Sequence, residues 1–563
     1  MTNSHAGNTA FRWTDTFLRT LQTYGVEHII ISPGSRSTPL TLAAASNGQL
    51  QKHVILDERS AAFTALGISK ATNVPAVLIC TSGTALANYY PAVIEARQSG
   101  VPLILATADR PPNLRATGAN QAIDQQKIFG DYPVFYHDVG EPRSEKNDFD
   151  RLQLLAQQAF TISREKRGPV HLNFPFRKPL EPEPQFLQSY TPPSFSKKQG
   201  SEAQSGLTLS GNLQQNITQA SRPLIIAGPL APHDDCTSIA QLAEELHCPI
   251  LTETTIDHPN TISGFAGFLR DNELRNTLQP DLILRFGFQP TDKSLELGLR
   301  DWQPQYHYHF ASTHAWQDAT YSGATRIPWM GQPLRFEQLS PSLNNRWLEQ
   351  WQEAEKSFET FRSNVMNSSS TLTDGAIYDH LTPQLSDDHF MMVSNSFPAR
   401  DISLFGRQSS TVPIYLNRGV SGIDGINSTA IGLSLAQNRP GLLFTGDLAF
   451  LHDTNALLNA SKINQSLAIV VINNAGGSIF RMLPIEDYDE YFQNYFETPQ
   501  SANIQQMARS YDIPYLGIDA LPDLKQLDLS EWISQYSRLS IIECKTDAEA
   551  SMTQRQMLWN YAT

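Results

Sequence analysis

The sequence predicts an α/β protein of three domains, each a parallel sheet flanked by helices. Three observations carry this expectation. Short β-branched runs alternate with helix-length segments, as in VEHIIISPGS, HVILDE, PAVLICTSG and VPLILATADR, the rhythm of a parallel sheet covered by helices. The same rhythm returns twice further along the chain. At 563 residues the chain also exceeds what one hydrophobic core organises, so two to four domains are expected.

The elements follow in order. The first domain is expected over residues 1–182, and the Pro-, Ser- and charge-rich stretch Arg177–Gly206 reads as a linker. A second α/β segment, 207–350, opens with RPLIIAGPLAP and continues through CPILTET and PDLILRFG. It reads as Rossmann-like, yet it lacks Gly-x-Gly-x-x-Gly, so nothing points to a bound nucleotide. The pattern thins from Glu353 to Asp374. A third unit, 370–563, has strands at HFMMVSNS, VPIYLNRG, PGLLFTGD, SLAIVVINN and LSIIECK.

Charge excludes some functions. With 42 Lys and Arg against 56 Asp and Glu, the net charge of -14 disfavours non-specific binding to nucleic acid or anionic membranes. The four cysteines are scattered without a Cys-x-x-Cys pair, which fits a reducing compartment. No basic leader with an apolar run and no apolar stretch of membrane-spanning length occurs. A cytoplasmic protein is expected.

The stretch GDLAFLHDTNALLNASKINQSLAIVVINNAGGSIF, residues 446–480, carries the chemistry. It reads as strand, crossover helix, strand. In a right-handed βαβ unit both strands point the same way, so Asp447 and Asn474 meet at the carboxyl edge of the sheet, where open α/β sheets bind ligands. A carboxylate, an amide oxygen and a carbonyl from the NAGGS turn make an all-oxygen site suited to Mg²⁺ with room for phosphate oxygens. Taken alone, the spacing equally suits a helix N-cap followed by an Asn-Asn turn.

Gly-Asp, about 25 residues, then Asn-Asn resembles the motif of the thiamine-diphosphate-dependent enzymes. The resemblance implies that Asp447, Asn474 and the carbonyl of Gly476 hold the Mg²⁺ (or Mn²⁺) bridging the cofactor diphosphate. Leu448 stands where many members have Gly. That family also needs a glutamate from another domain to hydrogen-bond the aminopyrimidine ring, and Glu58, between HVILDE and a helix of small residues, matches it. A homo-oligomer, at least a dimer, with active sites between subunits is implied.

ISPGSRSTPLTLAA, TSGTALANYYPAVIEA, TADRPPNLRATGANQAIDQ, LNRGVSGIDGINST and VINNAGGSIFRMLP together resemble the 2-succinyl-5-enolpyruvyl-6-hydroxy-3-cyclohexene-1-carboxylate synthase family of menaquinone biosynthesis. Its substrates, 2-oxoglutarate and isochorismate, each carry two carboxylates. The residues bear on this independently: Arg36, Arg110, Arg115, Arg400 and Arg418 sit in turns after strands, and guanidinium groups match carboxylates bidentately. By the resemblance, Ser35, Arg36, Arg110, Gln121, Ser396, Arg400 and Arg418 line the substrate pocket, and Ile423 is the apolar wedge under the cofactor. Lys293 in QPTDKSLE is kept, but Ser294 replaces a common arginine. Ile479 and Phe480 read as a pocket wall or as core. The competing expectations are an acetohydroxyacid synthase-like carboligase and a silent metabolite-binding member of the fold.

Overall fold

The computed structural model describes residues 5–193, 195, 206–209, 211–231, 233–312, 318–337, 339, 346–406, 411–463 and 465–561. Strands β1 (His28–Ile31), β2 (Gln51–Val54), β3 (Ala76–Cys80), β4 (Leu103–Asp109), β5 (Phe135–Asp138) and β6 (Pro169–Pro175) form a parallel sheet in the order β2-β1-β3-β4-β6-β5. The middle of the chain contributes β7 (Leu207–Thr208), β8 (Pro223–Ala227), β9 (Ile250–Thr252), β10 (Thr261–Ile262), β11 (Leu282–Phe286), β12 (Tyr306–Ala311), β13 (Thr325–Pro328) and β14 (Leu334–Arg335). There β7 pairs with β14, and the others form a parallel sheet ordered β10-β9-β8-β11-β12-β13. A third parallel sheet, β16-β15-β17-β18-β20-β19, uses β15 (Phe390–Val393), β16 (Ile414–Leu416), β17 (Gly441–Gly446), β18 (Leu467–Asn473), β19 (Tyr515–Ile518) and β20 (Leu539–Lys545).

Counted from its own first strand, the outer pair of sheets shares one order, 2-1-3-4-6-5, while the middle sheet has the Rossmann order 3-2-1-4-5-6. In each outer sheet the direction of winding reverses between the first and third strands. That places a crevice at the carboxyl ends of β1 and β3, and another at those of β15 and β17. Strands such as AVLIC and PLIIA are buried at every position because helices cover both faces, which is why they read as continuous apolar runs.

The described chain forms two compact units. One is Met1–Glu202 with Asp424–Asn438 and Asp453–Lys462; the other is Ala203–Ile423 with Arg439–His452 and Ile463–Thr563. Within the first, helix Ile426–Ala436 lies along helix Glu58–Thr72. Added Cβ atoms at Gly67 and Gly432 would collide with the backbone carbonyls of Thr429 and Thr64, so glycine at these two positions permits the close crossing. Asp453 secures the pairing by accepting from Ser428 N (2.7 Å) and Ser428 Oγ (3.0 Å), and Asn455 Nδ2 donates to Asp57 Oδ2 at 2.6 Å. In the second unit one apolar cluster spans the middle and third sheets. Helix Trp347–Ser368 runs through it, packing Trp351 edge-on against Phe268 and Trp302, while Trp347 Nε1 donates to Pro223 O at 2.7 Å.

Three expectations need adjustment. The crossover after β17 is a short helix, Asp447–His452, followed by 3₁₀ turns over Thr454–Lys462, because Asp453 and Asn455 are drawn into side-chain bonds with neighbouring elements. Within the expected linker, residues 194 and 196–205 lie outside the described residues. Its earlier part packs instead of spanning: helix Pro184–Ser189 brings Phe186 and Tyr190 onto Phe11, and Tyr190 Oη donates to Asp15 at 2.8 Å. Strands β5 and β19, only half-buried along much of their length, carry too little apolar pattern to be read in advance. Among the described residues no helix is long and apolar enough to cross a membrane.

His171 lies wholly inside the first sheet's unit, its ring against Phe129 and Tyr136 and its Nε2 2.9 Å from Thr107 Oγ1. Burial drives its pKa down to about 3. The neutral ring is therefore kept in the fold while the unfolded chain takes up a proton below its ordinary value of 6.5. Its contribution is present above that pH and is lost as pH falls towards 3. Urea unfolding is expected to show stability declining on acidification, by up to about 1.4 kcal/mol per pH unit from this residue. His171→Gln should remove that part of the slope, and an unchanged slope would contradict it.

Candidate active site

β17 and β18 pair in parallel through Gly446 and Ile472, so Asp447 and Asn474 emerge side by side just beyond the sheet. Asp447 opens helix Asp447–His452 and is 5% exposed. Its Oδ1 accepts from Leu448 N at 2.8 Å. Burial raises the carboxyl to about 7, and Asp374 adds repulsion. A group in that state is stabilised by a cation, which offsets the loss of hydration and the second negative charge. The donor set therefore fits a divalent oxygen-seeking ion, with Asp447 as the carboxylate and Asn474, 8% exposed, as the amide.

The turn after β18 completes this edge. Gly476 has φ +129° and a Cβ there would run into the carbonyl of Glu497. Gly477 N donates to that same carbonyl at 2.6 Å. The Glu497 side chain in turn accepts from Arg481 Nε at 2.8 Å, so the segment Gln493–Glu497 braces the glycine turn from outside. Phe480 packs edge-on against Phe496 at 5.8 Å, and both Ile479 and Phe480 remain half-buried.

The crevice between β15 and β17 holds the third sheet's other expected residues. Ser396 has φ +72° at the start of helix Phe397–Phe405, and its carbonyl accepts from Arg400 Nη1 at 2.8 Å. Asn395, 1% exposed, donates through Nδ2 to the carbonyls of Asn417 (2.7 Å) and Gly422 (2.6 Å). Its Oδ1 accepts from Arg418 Nη1 at 3.2 Å. One side chain thus ties the strand end to the loop carrying Arg418 and the half-buried Ile423. From the middle sheet, Glu253 accepts from Thr291 N at 2.8 and 2.9 Å and from Asp292 N at 2.5 Å. Burial and then Asp292 raise Glu253 to about 7, with Arg418 opposing. Lys293 follows this turn, and its Nζ bonds Glu296 at 2.6 Å. Ser294 is buried, donating to Phe265 O at 3.1 Å, so it occupies a structural position that leaves no side chain to meet a substrate.

The first sheet's edge gathers its own set. Glu58 begins helix Glu58–Thr72 just after β2, where Asp57 caps the helix by accepting from Ser60 N at 3.0 Å. Burial, with Asp57 contributing, raises the Glu58 carboxyl above its ordinary value. After β1, Arg36 is buried, its N donating to Thr81 Oγ1 (3.1 Å) and its Nη1 to Phe176 O (2.8 Å). Ser35 beside it is exposed. After β4, Arg110 donates through Nε and Nη2 to Asn120 O at 3.0 and 2.7 Å. Gln121, at φ +55°, exchanges bonds with Ser82 at 3.0 and 3.1 Å. Burial and then Arg110 depress the Arg36 pKa, with Asp109 opposing; neighbouring guanidinium groups of this kind fit an anion. Arg115 differs: it pairs with Asp109 (3.0 Å) and Asp138 (2.9 Å), so among the five turn arginines it serves the fold.

Asn395, Glu253, Glu497 and Asp374 were not singled out by sequence. Only the Asn before Ser396 offered a local signal, as a polar residue closing an apolar strand; the rest act across long separations in the chain.

Gly476→Ala is expected to lower folding stability by roughly 1–3 kcal/mol through backbone strain and overpacking, read by denaturant unfolding. A variant as stable as the parent would contradict the bracing described.

Comparison with known proteins accords with this geometry. Residues 11–128 match the N-terminal thiamine pyrophosphate-binding domain of thiamine pyrophosphate enzymes, and residues 412–544 match the C-terminal one. Curated relatives named 2-succinyl-5-enolpyruvyl-6-hydroxy-3-cyclohexene-1-carboxylate synthase are similar along nearly the whole chain. That of Rippkaea orientalis is 37% identical, covering 92% of this chain and 90% of its own. That of Haloarcula marismortui is 35% identical over 98% of each, and that of Bacillus velezensis is 35% identical over 96% of this chain and 95% of its own. The chain belongs to the 2-succinyl-5-enolpyruvyl-6-hydroxy-3-cyclohexene-1-carboxylate synthase family of thiamine-diphosphate-dependent enzymes.

Proposed function

We propose that the protein decarboxylates 2-oxoglutarate and adds the resulting carbanion to isochorismate, giving 2-succinyl-5-enolpyruvyl-6-hydroxy-3-cyclohexene-1-carboxylate in menaquinone biosynthesis. The observation that carries this is near-full-length similarity to synthases of that name in a chain whose sheet edge presents Asp447, Asn474 and the Gly476 turn together. The relatives favour it over an acetohydroxyacid synthase-like reaction or a silent binder. Thiamine diphosphate, when bound, supplies the nucleophile and electron sink for cleaving the 2-oxo acid. Asp447, Asn474 and the Gly476 carbonyl would hold the Mg²⁺ (or Mn²⁺), and Ile423 would supply an apolar contact to the cofactor.

Glu58 shares a proton with the aminopyrimidine ring. Its raised pKa, caused chiefly by burial, supports this by making the proton easier to retain at neutral pH. Arg36, Arg110, Arg400, Arg418 and Lys293 receive substrate carboxylates, with Ser35, Gln121 and Ser396 completing the pocket. Support for that reading is the repulsion between Arg36 and Arg110, which an anion relieves. Domains bounded at 1–182, 207–350 and 370–563, a cytoplasmic location and a homo-oligomer with active sites between subunits belong to the same reading.

Loss of isochorismate absorbance is expected only when protein, thiamine diphosphate, Mg²⁺ and 2-oxoglutarate are all present. Loss without 2-oxoglutarate, or none with the full mixture, would overturn the proposal. Glu58→Gln should lower kcat by roughly 10²–10⁴-fold while leaving the unfolding midpoint nearly unchanged; full activity would remove its assigned role.

A further inference from the structure

Behind the cation site lies a buried ionic network that no role described so far uses. Asp374 begins helix Asp374–Leu381, Asp401 sits on helix Phe397–Phe405, and Arg555 belongs to helix Ala548–Trp559, the last of the chain. All three side chains are 1% exposed. Arg555 Nη2 reaches Asp374 Oδ2 at 2.6 Å, its Nε reaches Asp401 Oδ1 at 2.8 Å, and Nη2 also bonds Asp401 Oδ2. The guanidinium lies 3.6 Å over the ring of Phe397. Thr546 Oγ1 donates to Asp374 Oδ1 at 2.6 Å, and Asp374 N donates to Ser551 Oγ at 3.0 Å.

Asp374 is thus held at both oxygens, and one more group bonds it: Asn474 Nδ2, which donates to Asp374 Oδ2 at 3.0 Å. This contact has a directional consequence. A side-chain amide has a donating and an accepting end, and an ion-paired carboxylate only accepts. With Nδ2 turned to Asp374, the Asn474 oxygen is turned away from that carboxylate and left free to accept at the edge that also carries Asp447 and the Gly476 turn. Without Asp374 this bond no longer selects between the two amide orientations, one of which turns N–H groups towards the cation site.

We propose that Asp374, anchored by Arg555 and Thr546, is a positioning residue that fixes the Asn474 amide with its oxygen towards the cation site. The inference rests on the proposed role of Asn474 as an oxygen ligand. Partners of this kind change metal affinity by roughly 10–100-fold when removed. The same Arg555 also binds Asp401, next to Arg400, so the anchor of the cation site and the helix bearing a substrate arginine share one guanidinium.

The test measures Mg²⁺-dependent binding of thiamine diphosphate to the full-length protein, by calorimetry and by quenching of tryptophan fluorescence. Asp374→Asn retains the shape but lets the amide at 474 turn over. It is expected to weaken apparent Mg²⁺ affinity at least tenfold in the parent and to have no further effect in an Asn474→Ala background. A purely structural role would weaken both backgrounds alike. Thr546→Val, which leaves every charge in place, should show the same pattern in milder form and serves if Asp374→Asn does not fold. Equal effects in both backgrounds, or none in either, overturn the inference alone. Binding of thiamine diphosphate that needs no Mg²⁺ in the parent, or that is indifferent to Asn474→Ala, overturns the ligand reading and the inference with it.

Discussion

Everything at the third sheet's edge depends on one constraint: a carboxylate, Asp447, is held almost out of water beside a second carboxylate, Asp374. Burial, with repulsion from Asp374 added, moves Asp447 to about 7 against the backbone bonds that lower it, and an opposing charge favours its ionised form. Asp374 already has one, in Arg555. Asp447 accepts from backbone amides, those of Leu448 at 2.8 Å and of Gly476. The fold thus pairs one acid of the two with an internal cation, and the other fits the cation proposed above.

That arrangement follows from topology. Parallel strands β17 and β18 deliver Asp447 and Asn474 to the same edge, next to the reversal of winding between β15 and β17. Asn395, at the end of β15, then binds the loop bearing Arg418 and Gly422. The first sheet repeats the same strand order and places Arg36 after β1 and Glu58 after β2. Both edges mix acids with guanidinium groups: Asp447 with Arg400 and Arg418 at the third sheet, Glu58 with Arg36 and Arg110 at the first.

Much of this was legible because the signals are local. The buried parallel strands announce themselves as apolar runs, and Gly-Asp and Asn-Asn close two of them at positions that backbone geometry makes neighbours. Glu58 and the arginines after β1, β4 and β15 lie beside strand ends for the same reason. What stayed hidden is non-local. Arg555 meets Asp374 across 181 positions and Asp401 across 154, and no spacing rule links a C-terminal helix to a cation site. Arg115 looked like its neighbours but pairs with Asp109 and Asp138, a distinction set by strands β4 and β5 rather than by its own sequence. Segment Thr454–Lys462 had helical length, yet tertiary bonds from Asp453 and Asn455 draw it into 3₁₀ turns.

The most direct test of this account is a crystal structure grown with thiamine diphosphate and Mn²⁺, with anomalous scattering used to locate the metal. The account predicts one strong peak within about 2.0–2.4 Å of an Asp447 oxygen, the Asn474 side-chain oxygen and the Gly476 carbonyl. A peak elsewhere, or a diphosphate bound with no metal at Asp447, would contradict it.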